Sequence, residues 1–106
     1  MPKYLVEASY TGEGVKGLLK VGGSARRKAV EESTASMNGK LEAFYFSFGE
    51  RDAIIILDLP DNATAAAIAL SVKATGAIHT KTTVLLTAEE VDAAAKKHPA
   101  YRPPGE

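Results

Sequence analysis

The 106-residue chain contains no cysteine. That absence excludes a disulfide framework, a thiolate nucleophile and any Cys-ligated zinc. Histidine is nearly as scarce. His79 and His98 are the only two, too few for an all-histidine metal site within one chain, so no metal ligand set is expected. Neither sign of charge is in excess: thirteen Lys and Arg balance thirteen Asp and Glu. There is thus no electrostatic footprint for nucleic acid or for an anionic membrane surface. No apolar run approaches the roughly 20 residues that span a bilayer. The opening stretch MPKYLVEASY has neither the basic n-region nor the apolar core of a secretory signal. A soluble, cytoplasmic protein without nucleic-acid or membrane partners is the expectation, and the length suits one compact domain.

What is present alternates between strand and helix patterns. KYLVEASY, Lys3 to Tyr10, is β-rich and apolar. Thr11 can cap a helix to about Lys20 that places Val15, Leu18 and Leu19 at helical spacing. Gly22 and Gly23 break it, and Ser24 is expected to cap a second helical piece to about Met37, ended by Asn38-Gly39. KLEAFYFSF (Lys40 to Phe48), a GERD turn and AIIILDL (Ala53 to Leu59) read as a hairpin. Pro60 stops the strand and Asp61 caps an alanine-rich helix ended by Gly76. Ala77 to Leu86 reads as a last strand. Thr87 and Glu90 form a capping box, T-x-x-E, for a short helix to about Lys97. Residues 99–106 are a proline-rich tail behind a domain spanning residues 1–98.

The order β-α-β-β-α-β plus a terminal helix predicts an α+β, ferredoxin-like domain with a four-stranded antiparallel sheet. Both main helices then lie on one face, and the other face is bare. Strand AIIILDL should alternate if that face were wet, but Ile54 and Ile56 point one way and Ile55 and Leu57 the other. The second strand sends Phe44, Phe46 and Phe48 to one side and Leu41, Ala43 and Tyr45 to the other. Burying even ~400 Å² of apolar surface would contribute about 10 kcal/mol before entropy costs. Pairing with a second copy is the cover expected for the bare face; the alternative is the terminal helix, Ala88 to Lys97, folded back over it.

Several stretches together resemble a known family: MPKYLVEASYTGEGVKGLL, the GGSARR break, GKLEAFYFSFGERD, LPDNATAAAIAL and TKTTVLLTAEEVDAA. As a set, in order and over nearly the whole chain, they are similar to GYD-domain proteins. The resemblance implies kinship with the dimeric α/β-barrel superfamily, in which two ferredoxin-like sheets face each other. It implies no particular reaction. The family's Gly-x-Tyr-Asp pattern here reads Gly49, Glu50, Arg51, Asp52, so a role carried by the tyrosine ring does not carry over.

Candidate site residues follow from strand alternation. Glu7 and Ser9 on the first strand, Tyr45 on the second, Asp58 on the third and His79 and Lys81 on the last are all expected on the bare face. A carboxylate, an imidazole and a phenol can do acid–base work when burial shifts their pKa values. They serve equally as an interfacial charge cluster that fixes dimer register. Asp52 is a ligand-binding carboxylate or a turn residue that bonds nearby amides. GGSARR brings Arg26 and Arg27 to a helix start, where phosphate or carboxylate would suit. No strand feeds it and no Gly-Lys-Ser/Thr follows, so it is not a P-loop. A plain hinge, with Arg27–Glu31 and Lys28–Glu32 pairs at i,i+4, accounts for it as well.

Two function classes follow. One is a small homo-oligomeric binding or accessory protein with a semi-enclosed pocket on the sheet, taking an organic or anionic ligand. The other is a cofactor-free enzyme of oxygenase, isomerase or lyase type acting on a small organic acid. There Glu7 or His79 would be the base, Lys81 the oxyanion stabiliser and Tyr45 a donor. No cofactor is expected; haem on His79 is a weaker third reading.

Overall fold

The computed structural model describes every residue from Met1 to Glu106. Its elements run β1 (Lys3–Tyr10), α1 (Gly12–Val21), α2 (Gly23–Ser36), β2 (Lys40–Phe46), β3 (Ala53–Asp58), α3 (Asn62–Ala74), β4 (Ile78–Leu85) and α4 (Ala88–Ala95). The strands form one sheet in the order β2-β3-β1-β4, antiparallel at every pairing. This is the ferredoxin-like arrangement.

Local chemistry sets the helix ends. The Thr11 side chain accepts from the Gly14 amide at 3.3 Å and starts α1. The Asp61 carboxylate accepts from both the amide and the hydroxyl of Thr64, at 2.8 and 2.7 Å, and starts α3. Thr87 and Glu90 exchange both bonds of a capping box, each 3.1 Å, at the start of α4. The break between α1 and α2 differs from expectation. Gly22, not Ser24, is the cap of α2, and no side chain bonds there. Gly22 has φ 85° and ψ 168°, backbone that only glycine adopts freely.

The core lies between the sheet and the helices. Tyr4, Ala8, Phe44, Ala53, Ile55, Leu57, Leu59, Ala65 and Ile78 are its buried apolar residues. Phe44 and Phe46 meet edge to face with centroids 5.0 Å apart, a favoured aromatic geometry. β2 ends at Phe46, two residues before the expected end, and Phe48 projects into solvent. The cause is a six-residue connection: the Ser47 amide bonds the Asp52 carbonyl at 2.9 Å, closing a loop wider than a GERD turn. A register shift between Leu41 and Ala43 also separates those residues. Leu41 therefore packs against the core with Phe44, while Ala43 pairs with Ile56 of the bare face.

α4 does not fold back over the sheet. It buries no residue, and every residue from Ala88 to Glu106 is exposed. The molecule is accordingly long, 55 × 33 × 23 Å, with a radius of gyration of 16.8 Å, against about 13 Å for a compact domain of this length. No helix is long and apolar enough to cross a membrane.

Candidate functional site

Side chains of alternate parity divide the sheet into two surfaces, and each carries some of the candidates. On the bare face, Glu7 lies opposite Lys81 of β4 and Ile54 of β3, and Ser9 lies opposite His79. Tyr45 is opposite Ile54. Tyr45 is 71% exposed and Ile54 is 40% exposed. Glu7, Ser9, Tyr45, His79 and Lys81 thus share the face that sequence parity gave them. Within the chain, however, the ion-pair partner of Glu7 is Arg51. Its Nε stands 3.8 Å from Glu7 Oε2, with both side chains partly exposed. Arg51 reaches across from the β2–β3 connection, where the Ser47 hydroxyl bonds the Arg51 carbonyl.

Asp58 lies at the other end of this face. Its carboxylate accepts from Lys3 Nζ at 2.8 Å, and Glu42 accepts from the same ammonium at 3.0 Å. The bond to Asp58, then that to Glu42, holds the Lys3 pKa above its ordinary value. Lys3 shares parity with Leu5, Glu7 and Ser9, which was the available signal for it. Glu42 gave none, because it reaches this cluster from the bulge in β2. Asp52 is committed to backbone: its carboxylate accepts from the Tyr10 amide at 2.8 Å, and its amide donates to the Ala8 carbonyl at 2.9 Å.

The helix side holds the enclosed space. α2 packs on β2 and α3 on β4, so the middle of the sheet is roofed only by their facing sides. The small residues Ala65 and Ala69 of α3 leave room there. The resulting cleft encloses about 80 Å³, and thirteen of its eighteen lining residues are hydrophobic. Val30, Ile55, Ile68 and Val72 are among them, with Ser33, Thr34, Thr80 and Thr82 as polar members. Thr34 is already satisfied, since its hydroxyl donates to the Val30 carbonyl at 2.7 Å. Arg26 also lines this cleft. Its Nε is sealed from solvent and has no hydrogen-bond partner. Arg26 and Tyr10 are the only titratable residues of the lining.

Arg27 behaves differently. It points to the surface, and its Nε stands 3.4 Å from Glu31 one turn on. The companion pair expected between Lys28 and Glu32 does not form. A second, shallow depression of about 260 Å³ lies beside the glycine break, lined by Gly23, Ser24, Arg27, Phe44 and Phe46. It is open to solvent and holds no unpartnered buried group. Of the two arginines, Arg26 is the one placed against an enclosed volume. Sequence reasoning singled it out through the helix start, but the cleft depends on how α2 and α3 splay, which no local pattern encodes.

A four-stranded antiparallel sheet with helices on one face, the other face left open and a cleft beneath the helices defines a ferredoxin-like α+β domain. The GYD domain family model matches residues 4–95, and the chain belongs to that family. Neither the curated proteins nor the solved structures contain a match to it.

Proposed function

We propose that this is a self-associating binding protein that takes a small organic acid in the cleft between the sheet and α2/α3. The observation that carries this reading is Arg26: its buried Nε lacks a partner at the wall of an otherwise apolar cleft. Leaving a buried polar group of a charged side chain unpaired is costly, and a guanidinium pairs well with a carboxylate. A ligand with a short apolar body and a carboxylate would satisfy both the lining and the arginine. The bare face, with Ile54, Ile56, Leu5 and Tyr45, is the surface by which copies pair.

Binding is favoured over catalysis by the separation of the two surfaces. The acid–base candidates Glu7, His79, Lys81 and Tyr45 lie across the sheet from the cleft. The cleft itself offers one cation and one phenol but no carboxylate or imidazole to move a proton.

Thermal denaturation with acetate, propionate, butyrate and isobutyrate tests this. At least one should raise the melting temperature by mass action, by about 2.7 kcal/mol of stabilisation at a hundredfold excess over its dissociation constant. Arg26→Met should remove the rise and Arg27→Ala should keep it. The reading is wrong if no carboxylate shifts the transition, or if Arg26→Met leaves the shift intact.

A further inference from the structure

One strand breaks the alternation that shapes the floor of the cleft. Toward the helices, β1, β2 and β3 turn aliphatic and aromatic side chains, from Tyr4 and Ala8 to Phe44, Ile55 and Leu57. β4 turns Ile78 the same way and follows it with Thr80 and Thr82, which share its parity. Threonine suits a strand at the edge of a sheet, and that accounts for Thr82, which is exposed. Thr80 is half-buried. The hydroxyls of Thr11, Thr34, Thr64, Thr75 and Thr87 all have hydrogen-bond partners within the chain, but that of Thr80 has none. Its place relative to Arg26 follows from the ladder. Phe46, Ala53, Ala8 and Thr80 form one row straight across the sheet. The start of α2 stands over the Phe46 end, where a Cβ on Gly23 would lie 2.9 Å from that ring. Arg26 is three residues further along α2, and Arg26, Ala8 and Thr80 all line the cleft. The cleft thus has a cation on its α2 wall, an unpaired hydroxyl on its β4 wall and apolar surface between them.

We propose that the acid taken by this cleft is a short hydroxy acid, and that Thr80 is the residue that selects its hydroxyl. The inference rests on the binding reading above and narrows it. A guanidinium holds a carboxylate by charge-assisted hydrogen bonds, which leaves the rest of the ligand to the floor and the β4 wall. A threonine hydroxyl both donates and accepts, as a ligand hydroxyl does, so the two can bond in either direction. The volume of about 80 Å³ equals the share of roughly three waters at ~30 Å³ each. A ligand of that size carries its carboxylate and its hydroxyl within a few carbons of each other. An analogue without the hydroxyl would strip water from Thr80 and leave its hydrogen bond unreplaced, which is how a polar group in a pocket rejects the wrong ligand.

Titration calorimetry on the full chain with two matched pairs tests this: lactate against propionate, and 3-hydroxybutyrate against butyrate, each hydroxy acid as both enantiomers. In at least one pair the hydroxy acid should bind about fivefold more tightly than its parent, the worth of one net hydrogen bond. Thr80→Val, which keeps the shape and loses the hydroxyl, should bring that pair to equal affinity without weakening the parent acid. Thr80→Ser, which keeps a hydroxyl, should retain the preference, and so should Thr82→Val. Parent acids that bind as tightly as their hydroxy acids overturn the inference and leave the carboxylate reading standing. A preference that survives Thr80→Val, or that is lost in Thr82→Val alone, overturns the role of Thr80. If no member of either pair binds, both readings fall.

Discussion

At the scale of single residues, the best-defined polar contacts hold the sheet to α3 and predict how stability follows pH. Tyr4 is buried, and its hydroxyl donates to Asn62 Oδ1 at 2.6 Å, tying β1 to the first turn of α3. Burial, and then the negative charge of Asp61, push the Tyr4 pKa up from its ordinary value of 10.0. The fold therefore favours the neutral phenol, and that contribution is complete below pH 10 and lost above it. Lys3, raised by Asp58 and Glu42, contributes stability that is complete below its ordinary value of 10.5 and lost as pH rises through its folded value. Chemical denaturation should thus show an alkaline decline beginning near pH 10. Tyr4→Phe should cost about 1 kcal/mol at neutral pH, through the lost hydrogen bond, and make that decline shallower. Asp61 acts at the other end. Its bonds from Thr64 lower its pKa below the ordinary 3.8, so its contribution is present above that value and lost as pH falls through the folded one. Asp61→Asn, which still accepts at the cap, should flatten the acid decline. An unchanged acid limb in that variant would show that Asp61 does not cause it.

At the scale of elements, helix starts and strand faces could be read from the sequence because each depends on short-range chemistry. Thr11, Asp61 and the Thr87/Glu90 box all cap as their residue types suggest, and period-two alternation places Glu7, Ser9, His79 and Lys81 on one face. Where reading failed, an added residue or a long-range contact was responsible. The bulge beyond Leu41 reverses the parity of part of β2, and the wide loop from Ser47 to Asp52 leaves Phe48 outside the strand. The cleft beside Arg26 is a matter of helix placement. The α1–α2 junction gives a contrasting pair of predictions. Gly22 sits in glycine-only backbone, so Gly22→Ala should destabilise by about 1–3 kcal/mol. Gly17 lies within α1, and a Cβ there would meet nothing within 4 Å, so Gly17→Ala should stabilise by roughly 0.5–1 kcal/mol. Urea denaturation of the two variants measures both, and equal signs would contradict the backbone assignment.

At the scale of the whole molecule, the central strand β3 decides the behaviour. Ile55 and Leu57 are buried beneath the helices, whereas Ile54 is exposed and Ile56 only partly covered on the opposite face. Ile54→Lys and Ile56→Lys should each place an unpaired ammonium in the proposed contact and shift sedimentation toward the 11.2 kDa chain. Retention of the assembled species by both variants would exclude this face as the contact. The exposed C-terminal segment also bears on how the chain is taken apart. Lys96 and Lys97 stand on uncovered backbone, the sort of site where proteases cut first. Trypsin should therefore cut native protein behind Lys96 or Lys97 well before it opens the sheet, leaving a trimmed domain whose melting temperature is unchanged; in a cell the same exposure would make the tail the first part of each chain to be lost and the folded body the part that lasts.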